Sequence, residues 1–394
     1  MGKYTDSQRK YHFVNDKSDS TSTTQGAYAV SCNVMLRLER IKLTQFRNYS
    51  QRIFVFNQAL TGVCGPNGTG KTNLLDAVYY GCFTKSYFSH QDQHVVQFGT
   101  DGFRIDLDFM LHREPTNVAC VYRGANRKEI SLNSVIYEKR ADHIGLLSAV
   151  MVAPDDIELI NGPGEIRRKW LDTLLCQLDR TYLQKLMEYN RLLQQRNSLL
   201  KQMASSPSTS DELLTVYDAQ LIPCGTFIFE KRKAVCTDLL MQIQDEYNTI
   251  SENRERIELE YESALQEKSF SELLTDKRHT DRLLQRTSSG IHRDDLLLKL
   301  EGRSIRQAGS QGQKKSLLFA MKLAELELIK QHKTFYPILL LDDVFEKLDA
   351  SRMNQLLTLV CEKQGLQIII SDTHPERLKA VFEKLPIQGE ILEV

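Results

Sequence analysis

Alternating and short apolar runs from residue 35 onward predict strands at 36–43, 53–56 and 60–64. The third runs directly into a glycine-rich turn, and a helix is expected from Lys71 to about Gly81. Further strands are expected at 103–110, 118–122 and 149–152, which makes this part an α/β lobe with some antiparallel character. From about residue 164 the pattern turns helical: one helix over 164–201, a break at Ala204-Ser205-Ser206-Pro207-Ser208-Thr209-Ser210, and a second helical run over 211–250. Two long antiparallel helices fit best, each roughly 55 Å at the α-helical rise, the size of a domain rather than of an arm. Strands return at 256–261 and 296–301. A helix then runs from Ser310 to about Gln331, followed by the apolar strand 338–341, a helix from Ala350 and a buried-type strand at 367–371. The chain has no internal repeat.

Residues 1–34 are rich in Ser, Thr, Asp, Gln and Asn and show little apolar periodicity, so a disordered extension is expected there. Met35 stands where the pattern begins and is the alternative start, which an intact mass would test.

Composition adds bounds. The chain has 394 residues, 41% hydrophobic and 26% charged, ordinary globular values with length for two or three cores. No stretch is long and apolar enough for a membrane helix, and the N-terminus lacks a secretory apolar core, so a cytoplasmic protein with no membrane partner is expected. Eight cysteines include no Cys-x-x-Cys pair and are expected to be reduced and structural. Fifty-one basic residues balance fifty-one acidic ones, so any nucleic-acid surface has to be a local patch.

The segment Gly65-Pro66-Asn67-Gly68-Thr69-Gly70-Lys71-Thr72 has the spacing of a phosphate-binding loop, with a strand before it and a helix after it. Glycines let backbone N–H groups turn toward phosphate oxygens, and the helix N-terminus adds its dipole. Lys71 can reach the β- and γ-phosphates of ATP, and the Thr72 hydroxyl can ligate Mg²⁺. A chance match is the competing reading, and the strand–loop–helix setting argues against it.

The strand at 338–341 ends in Asp342-Asp343, as a buried parallel strand delivering carboxylates to a sheet edge would. Asp342 is the expected Mg²⁺ partner of Thr72, and Asp343 the candidate base or water-positioning residue. An Asp pair alone is more often a solvated turn, but the apolar strand and the phosphate loop reverse that preference. Asp349 reads as a helix N-cap, as a site residue, or as both. His374 reads as a surface histidine or as a γ-phosphate contact, and Gln91 as part of a solvated loop.

The order of these motifs resembles that of ATP-binding-cassette ATPases, with Ser310-Gln311-Gly312-Gln313-Lys314-Lys315 before a helix and then the acidic strand. More specific segments resemble the RecF family of bacterial DNA replication and repair proteins. They are Leu43-Thr44-Gln45-Phe46-Arg47-Asn48-Tyr49, Ala153-Pro154-Asp155-Asp156-Ile157-Glu158-Leu159-Ile160-Asn161-Gly162-Pro163, Arg167-Arg168-Lys169-Trp170-Leu171-Asp172, Leu193-Gln194-Gln195-Arg196-Asn197 and Gly290-Ile291-His292-Arg293-Asp294-Asp295-Leu296. The resemblance implies an ABC-type α/β ATPase lobe with a mixed parallel and antiparallel sheet, made of residues 35–163 and 286–394, and an inserted, mainly helical second lobe over 164–285. It implies an ATP-dependent homodimer in which Ser310, Gly312 and Gln313 of one subunit cap the ATP held by Lys71 of the other, with Asp349 at the junction, and it places Gln91, otherwise a solvated-loop residue, where cassette ATPases carry a glutamine that contacts Mg²⁺ or water. It further implies binding of DNA at single-strand/double-strand junctions without sequence preference, and work with RecO and RecR in gap repair and the SOS response.

Eight Arg/Lys against four Asp/Glu between 163 and 201, among them Arg167, Arg168, Lys169, Arg191, Arg196 and Lys201, fit a phosphate-contacting face, although charge pattern alone favours a solvated helix. Transporter cassettes usually carry Gly in place of Gln311 and Glu in place of Asp343; the shorter Asp343 points to slow hydrolysis. A transporter ATPase subunit would not need the 290–296 segment, and the stretch between Thr72 and Ser310 is too short for long coiled-coil arms. A DNA clamp that binds ATP without useful hydrolysis stays open as an alternative.

Overall fold

The computed structural model describes residues 35–124, 127–205, 211–253, 255–344 and 350–394. The expected extension over residues 1–34, and Asp349, lie outside these.

In chain order the elements begin with β1 (Leu36–Phe46), β2 (Tyr49–Val55), β3 (Leu60–Cys64) and α1 (Lys71–Phe83). A meander of β4 (Gly102–Leu111), β5 (Glu114–Arg123), β6 (Arg127–Leu132) and β7 (Val135–Ile136) precedes β8 (Ala149–Val152). The helical stretch holds α2 (Glu158–Asn161), α3 (Gly164–Leu178), α4 (Arg180–Ser205) and α5 (Asp211–Ser251), then β9 (Ile257–Glu262) and α6 (Phe270–Leu284). After β10 (Asp295–Leu300), β11 (Arg303–Ser304) and α7 (Ile305–Ala308) come α8 (Gln311–Lys333), β12 (Ile338–Leu341), α9 (Ala350–Cys361), β13 (Ile368–Asp372), α10 (Pro375–Phe382) and β14 (Gly389–Glu393).

Three sheets result. The antiparallel sheet runs β2-β1-β4-β5-β6-β7, the parallel sheet β14-β3-β13-β12-β8, and a small antiparallel sheet β11-β10-β9. The parallel sheet is buried on both faces, which is why β12 reads as an unbroken Ile-Leu-Leu-Leu run. Ile338 and Leu340 enter a core shared with α1 and the antiparallel sheet, whereas Leu339 and Leu341 enter a core shared with α3, α5 and α8. This second core continues without a gap from the parallel sheet into the long helices. Its members include Trp170 of α3, whose Nε1 donates to Glu325 Oε2 of α8 at 2.7 Å.

The helix expected over 164–201 is two helices. Asp179 has extended backbone (φ −135°, ψ 110°), and its Oδ1 accepts from the backbone N–H groups of Thr181 (2.8 Å) and Tyr182 (3.1 Å), so it caps α4 and ends the run of α3. Helices α4 and α5 lie antiparallel: Asp179 meets Lys231, Lys185 approaches Cys224, and Arg196 pairs with Asp218.

The Arg196 side chain is fully buried, with Nε on Asp218 (2.6 Å) and Nη1 on Asp281 (2.7 Å). Arg167 is buried too, paired with Asp295 and donating to the carbonyls of Leu159 and Gly162. These two cations hold elements together and are not part of a DNA-facing surface. A second buried junction joins Arg232 to Asp172 and Asp294, with Tyr261 donating to Asp294 at 2.5 Å. Gly290 has φ 126°, and a Cβ there would stand 2.8 Å from Phe270 and 2.9 Å from the Tyr189 hydroxyl, so the 290–296 segment fits only as glycine allows. Seven cysteines among the described residues are free and buried. Among the described residues no helix is long and apolar enough to cross a membrane.

Candidate nucleotide-binding site

Strand β3 delivers the loop Gly65–Gly70 to the carboxyl edge of the parallel sheet, where α1 begins. Gly68 (φ 83°) and Gly70 (φ 117°) both occupy the left-handed region that a side chain disfavours. At Gly70 a Cβ would also stand 2.7 Å from Asn48 Nδ2 and from the Tyr49 hydroxyl. Those two residues hold the loop from outside: Asn48 Nδ2 donates to the Thr69 carbonyl (2.7 Å) and Tyr49 to the Gly70 carbonyl (3.0 Å). They come from the tight β1–β2 turn, where Gln45 and Arg47 have positive φ. Neither was among the expected site residues, although both lie in the Phe46-Arg47-Asn48-Tyr49 segment that carried the family resemblance.

Lys71 is buried, and its Nζ donates to the carbonyls of Gly65 (2.9 Å) and Pro66 (3.0 Å), which parks the ammonium inside the loop. Thr72 Oγ1 lies 3.0 Å from each carboxylate oxygen of Asp342, so residues 270 positions apart meet at the first turn of α1. Ser371, at the end of the neighbouring β13, donates to Asp342 Oδ1 (2.7 Å) and accepts from the Asp343 N–H (2.9 Å). Burial pushes the Asp342 carboxyl up to about 6, against the pull of the Ser371 and Thr72 hydrogen bonds. Asp343 sits at φ 45°, strained for a residue with a side chain. Ser371 was also missed; its signal was a small hydroxyl residue ending an apolar strand beside the acidic one.

The remaining expected residues are arranged differently. His374 is largely exposed at the start of α10; its N–H donates to the buried Asp372 (3.0 Å), whose carboxylate also takes the Arg377 guanidinium. Gln91 is exposed beside the short helical turn Asp92–Val95, its backbone bracketing the Ser89 hydroxyl. Ser310 and Gln313 form a capping box at the start of α8: Gln313 N–H donates to Ser310 Oγ (3.2 Å), and Ser310 N–H to Gln313 Oε1 (2.6 Å). Gln313 Nε2 also donates to Glu255 (3.0 Å), and Gly312 is half-buried between them. The structure therefore joins the loop, Thr72 and Asp342 by hydrogen bonds, and it assembles Ser310 with Gln313 as a separate cluster.

The arrangement can grip phosphate by backbone N–H groups, balance its charge with Lys71, and offer hydroxyl and carboxylate oxygens to a hard cation. The sequence model of the family described as RecF/RecN/SMC N terminal domain matches residues 37–387. The DNA replication and repair protein RecF of Flavobacterium johnsoniae is 38% identical over 88% of this chain and 97% of its own length. A solved structure of the recombination mediator protein RecF with ATP, in the RecFOR pathway, superposes with a TM-score of 0.82 at 26% identity, covering 88% of this chain and 94% of that one. The Smc head domain from Pyrococcus furiosus shares the fold, with a TM-score of 0.51 at 15% identity over 88% of this chain and 92% of that one. With this fold, this loop and relatives matched along nearly their whole length, the chain belongs to the RecF family of DNA replication and repair proteins.

Proposed function

We propose that this chain is an ATP-switched DNA-binding protein of gap repair, in which nucleotide closes two copies on DNA. The observation that carries the reading is the Thr72–Asp342 pair at the mouth of a loop with two left-handed glycines. That a similar protein of the family has been solved with ATP supports the choice of nucleotide.

The Thr72 hydroxyl and the Asp342 carboxylate form an oxygen-only donor pair that suits Mg²⁺, with most of its shell left to water and phosphate. When bound, Mg²⁺ would neutralise charge on the phosphate oxygens. Lys71 leaves the Gly65 and Pro66 carbonyls to meet phosphate. Asp343, held by Ser371, orients the attacking water, and with a carboxylate one methylene shorter than glutamate it supports slow turnover. His374 and Gln91 complete the water side. Ser310, Gly312 and Gln313 cap the partner copy's nucleotide with the N-terminus of α8, and Asp349 stands at the same junction. Loss of the γ-phosphate removes contacts that only the closed dimer makes, so hydrolysis releases the dimer. Residues 35–163 with 286–394 act as the ATPase lobe and 164–285 as the helical lobe, in the cytoplasm, with RecO and RecR as partners at single-strand/double-strand junctions.

Anisotropy of labelled gapped DNA, with and without ATP, tests this. ATP is expected to tighten binding, Lys71→Arg to weaken ATP-driven dimerisation, and Asp343→Asn to keep the ATP-bound dimer on DNA. Absence of ATP-dependent binding at low salt and micromolar protein would overturn the reading.

A further inference from the structure

A groove of about 740 Å³ opens between the C-terminal end of α1 and the pair α3–α4, and the 291–293 part of the Gly290–Leu296 segment lines it. Apart from the Arg232–Asp172 pair, its walls carry Lys85, Arg140, Arg168, Lys169 and Arg293 against the single carboxylate of Glu165. Among the described residues none of these five cations forms an ion pair. Arg168 and Arg293 are instead oriented by backbone carbonyls, of Asp294 at 2.5 Å and of Thr287 at 3.3 Å, and the carboxylates of Asp295, Asp294 and Glu165 act on Arg168 only from beyond ion-pair distance. Elsewhere in the same helices Arg167, Arg180 and Arg196 are paired, with Asp295, Asp142 and Asp218, whereas Arg191 is exposed outside the groove. The surrounding protein, and then the neighbouring Lys169 charge, lower the pKa of Lys85 below the ordinary lysine value. A concave site that gathers an excess of positive charge is built for an anion.

We propose that this groove is the track for one strand of DNA, its phosphates taken by Lys85, Lys169, Arg168 and Arg293. The volume is that of a small-ligand pocket, which admits a few linked nucleotides of an extended strand and not a duplex. Met187, 56% exposed on the wall, and the apolar Leu183 and Leu186 give the bases a surface that reads no sequence. The groove starts at the far end of α1 from Lys71. One helix thus has the nucleotide at its N-terminus and the strand at its C-terminus. This inference rests on the proposed DNA-binding function and adds where the single strand lies.

The test compares the parent chain with the double variant Lys85→Gln/Lys169→Gln, two exposed side chains outside the nucleotide site. Binding of a fluorescent oligo-dT and of a blunt duplex is titrated with ATP across a salt series, alongside ATP binding and dimerisation. Expected are a tenfold or greater loss of oligo-dT affinity, and a log K against log salt slope shallower by about 1.4, two single-strand phosphate contacts at about 0.7 each. ATP binding and dimerisation should match the parent. A photo-crosslinker attached at Met187→Cys should label the oligonucleotide. Unchanged affinity and slope in the double variant, or crosslinks to duplex alone, overturn the track while leaving the ATP-switched function standing. A parent chain that binds no DNA with ATP overturns both.

Discussion

Asp342 is caught between two demands: it must be a carboxylate to hold a cation, yet it is 3% exposed. Its folded pKa of about 6 lies above the ordinary 3.8, so the fold favours the protonated form. The stability this contributes is fully present below pH 4 and is lost as pH rises through 6, a swing of about 3 kcal/mol from the two values. Asp342→Asn, which has no charge to bury, should therefore be more stable than the parent at pH 8 without nucleotide, by up to about 3 kcal/mol, and the two should converge toward pH 4. Urea unfolding at several pH values checks this, and a difference that stays constant with pH would refute it. Magnesium with nucleotide should protect the parent at pH 8 and leave the variant unprotected. Thr72, Asp342 and the glycines could be read from sequence because spacing sets their chemistry. Asn48, Tyr49 and Ser371 could not, because their roles depend on which strands become neighbours.

At the scale of elements, the break at Asp179 shows what periodicity overlooks. The apolar pattern continues through it, while a single side chain caps one helix and stops another. Asp179→Ala should lower stability by about 1 kcal/mol, measured by urea unfolding with helix content followed by circular dichroism. A variant as stable as the parent would mean the cap is replaced by solvent. Strand β6, Arg-Lys-Glu-Ile-Ser-Leu, was not expected because it buries only Ile130 and so has no alternation to detect. Helix α6 did carry a signal, the Ser269-x-x-Glu272 capping box ahead of Leu273 and Leu274, and the structure forms that box. The apolar strands β3, β12 and β13 were legible because burial on both faces leaves continuous runs.

Across the whole molecule, charge counted along a helix proved a poor guide to surface. Of the cations between residues 163 and 201, Arg167 and Arg196 lie inside the fold, while Lys169, Arg191 and Lys201 face solvent. Arg167 ties α3 to β10 and to the end of α2, and Arg196 ties α4 to α5, α6 and the turn after α6; the sequence carries no mark that separates them from the others.

The bond from Trp170 to Glu325 has a practical consequence. The chain contains one tryptophan, so its indole emission, excited apart from the tyrosines, comes from a single ring wedged against α8, the helix that Ser310 caps. Burial raises the Glu325 carboxyl's pKa, and any sliding of α8 changes the polarity and charge that the indole senses. The molecule thus carries its own optical gauge. If nucleotide draws the Ser310 end of α8 toward a second copy, unlabelled protein should change its emission on ATP addition, in proportion to protein concentration as dimers form. Lys71→Arg should blunt that change, and spectra identical with and without ATP would mean that α8 stays where it is.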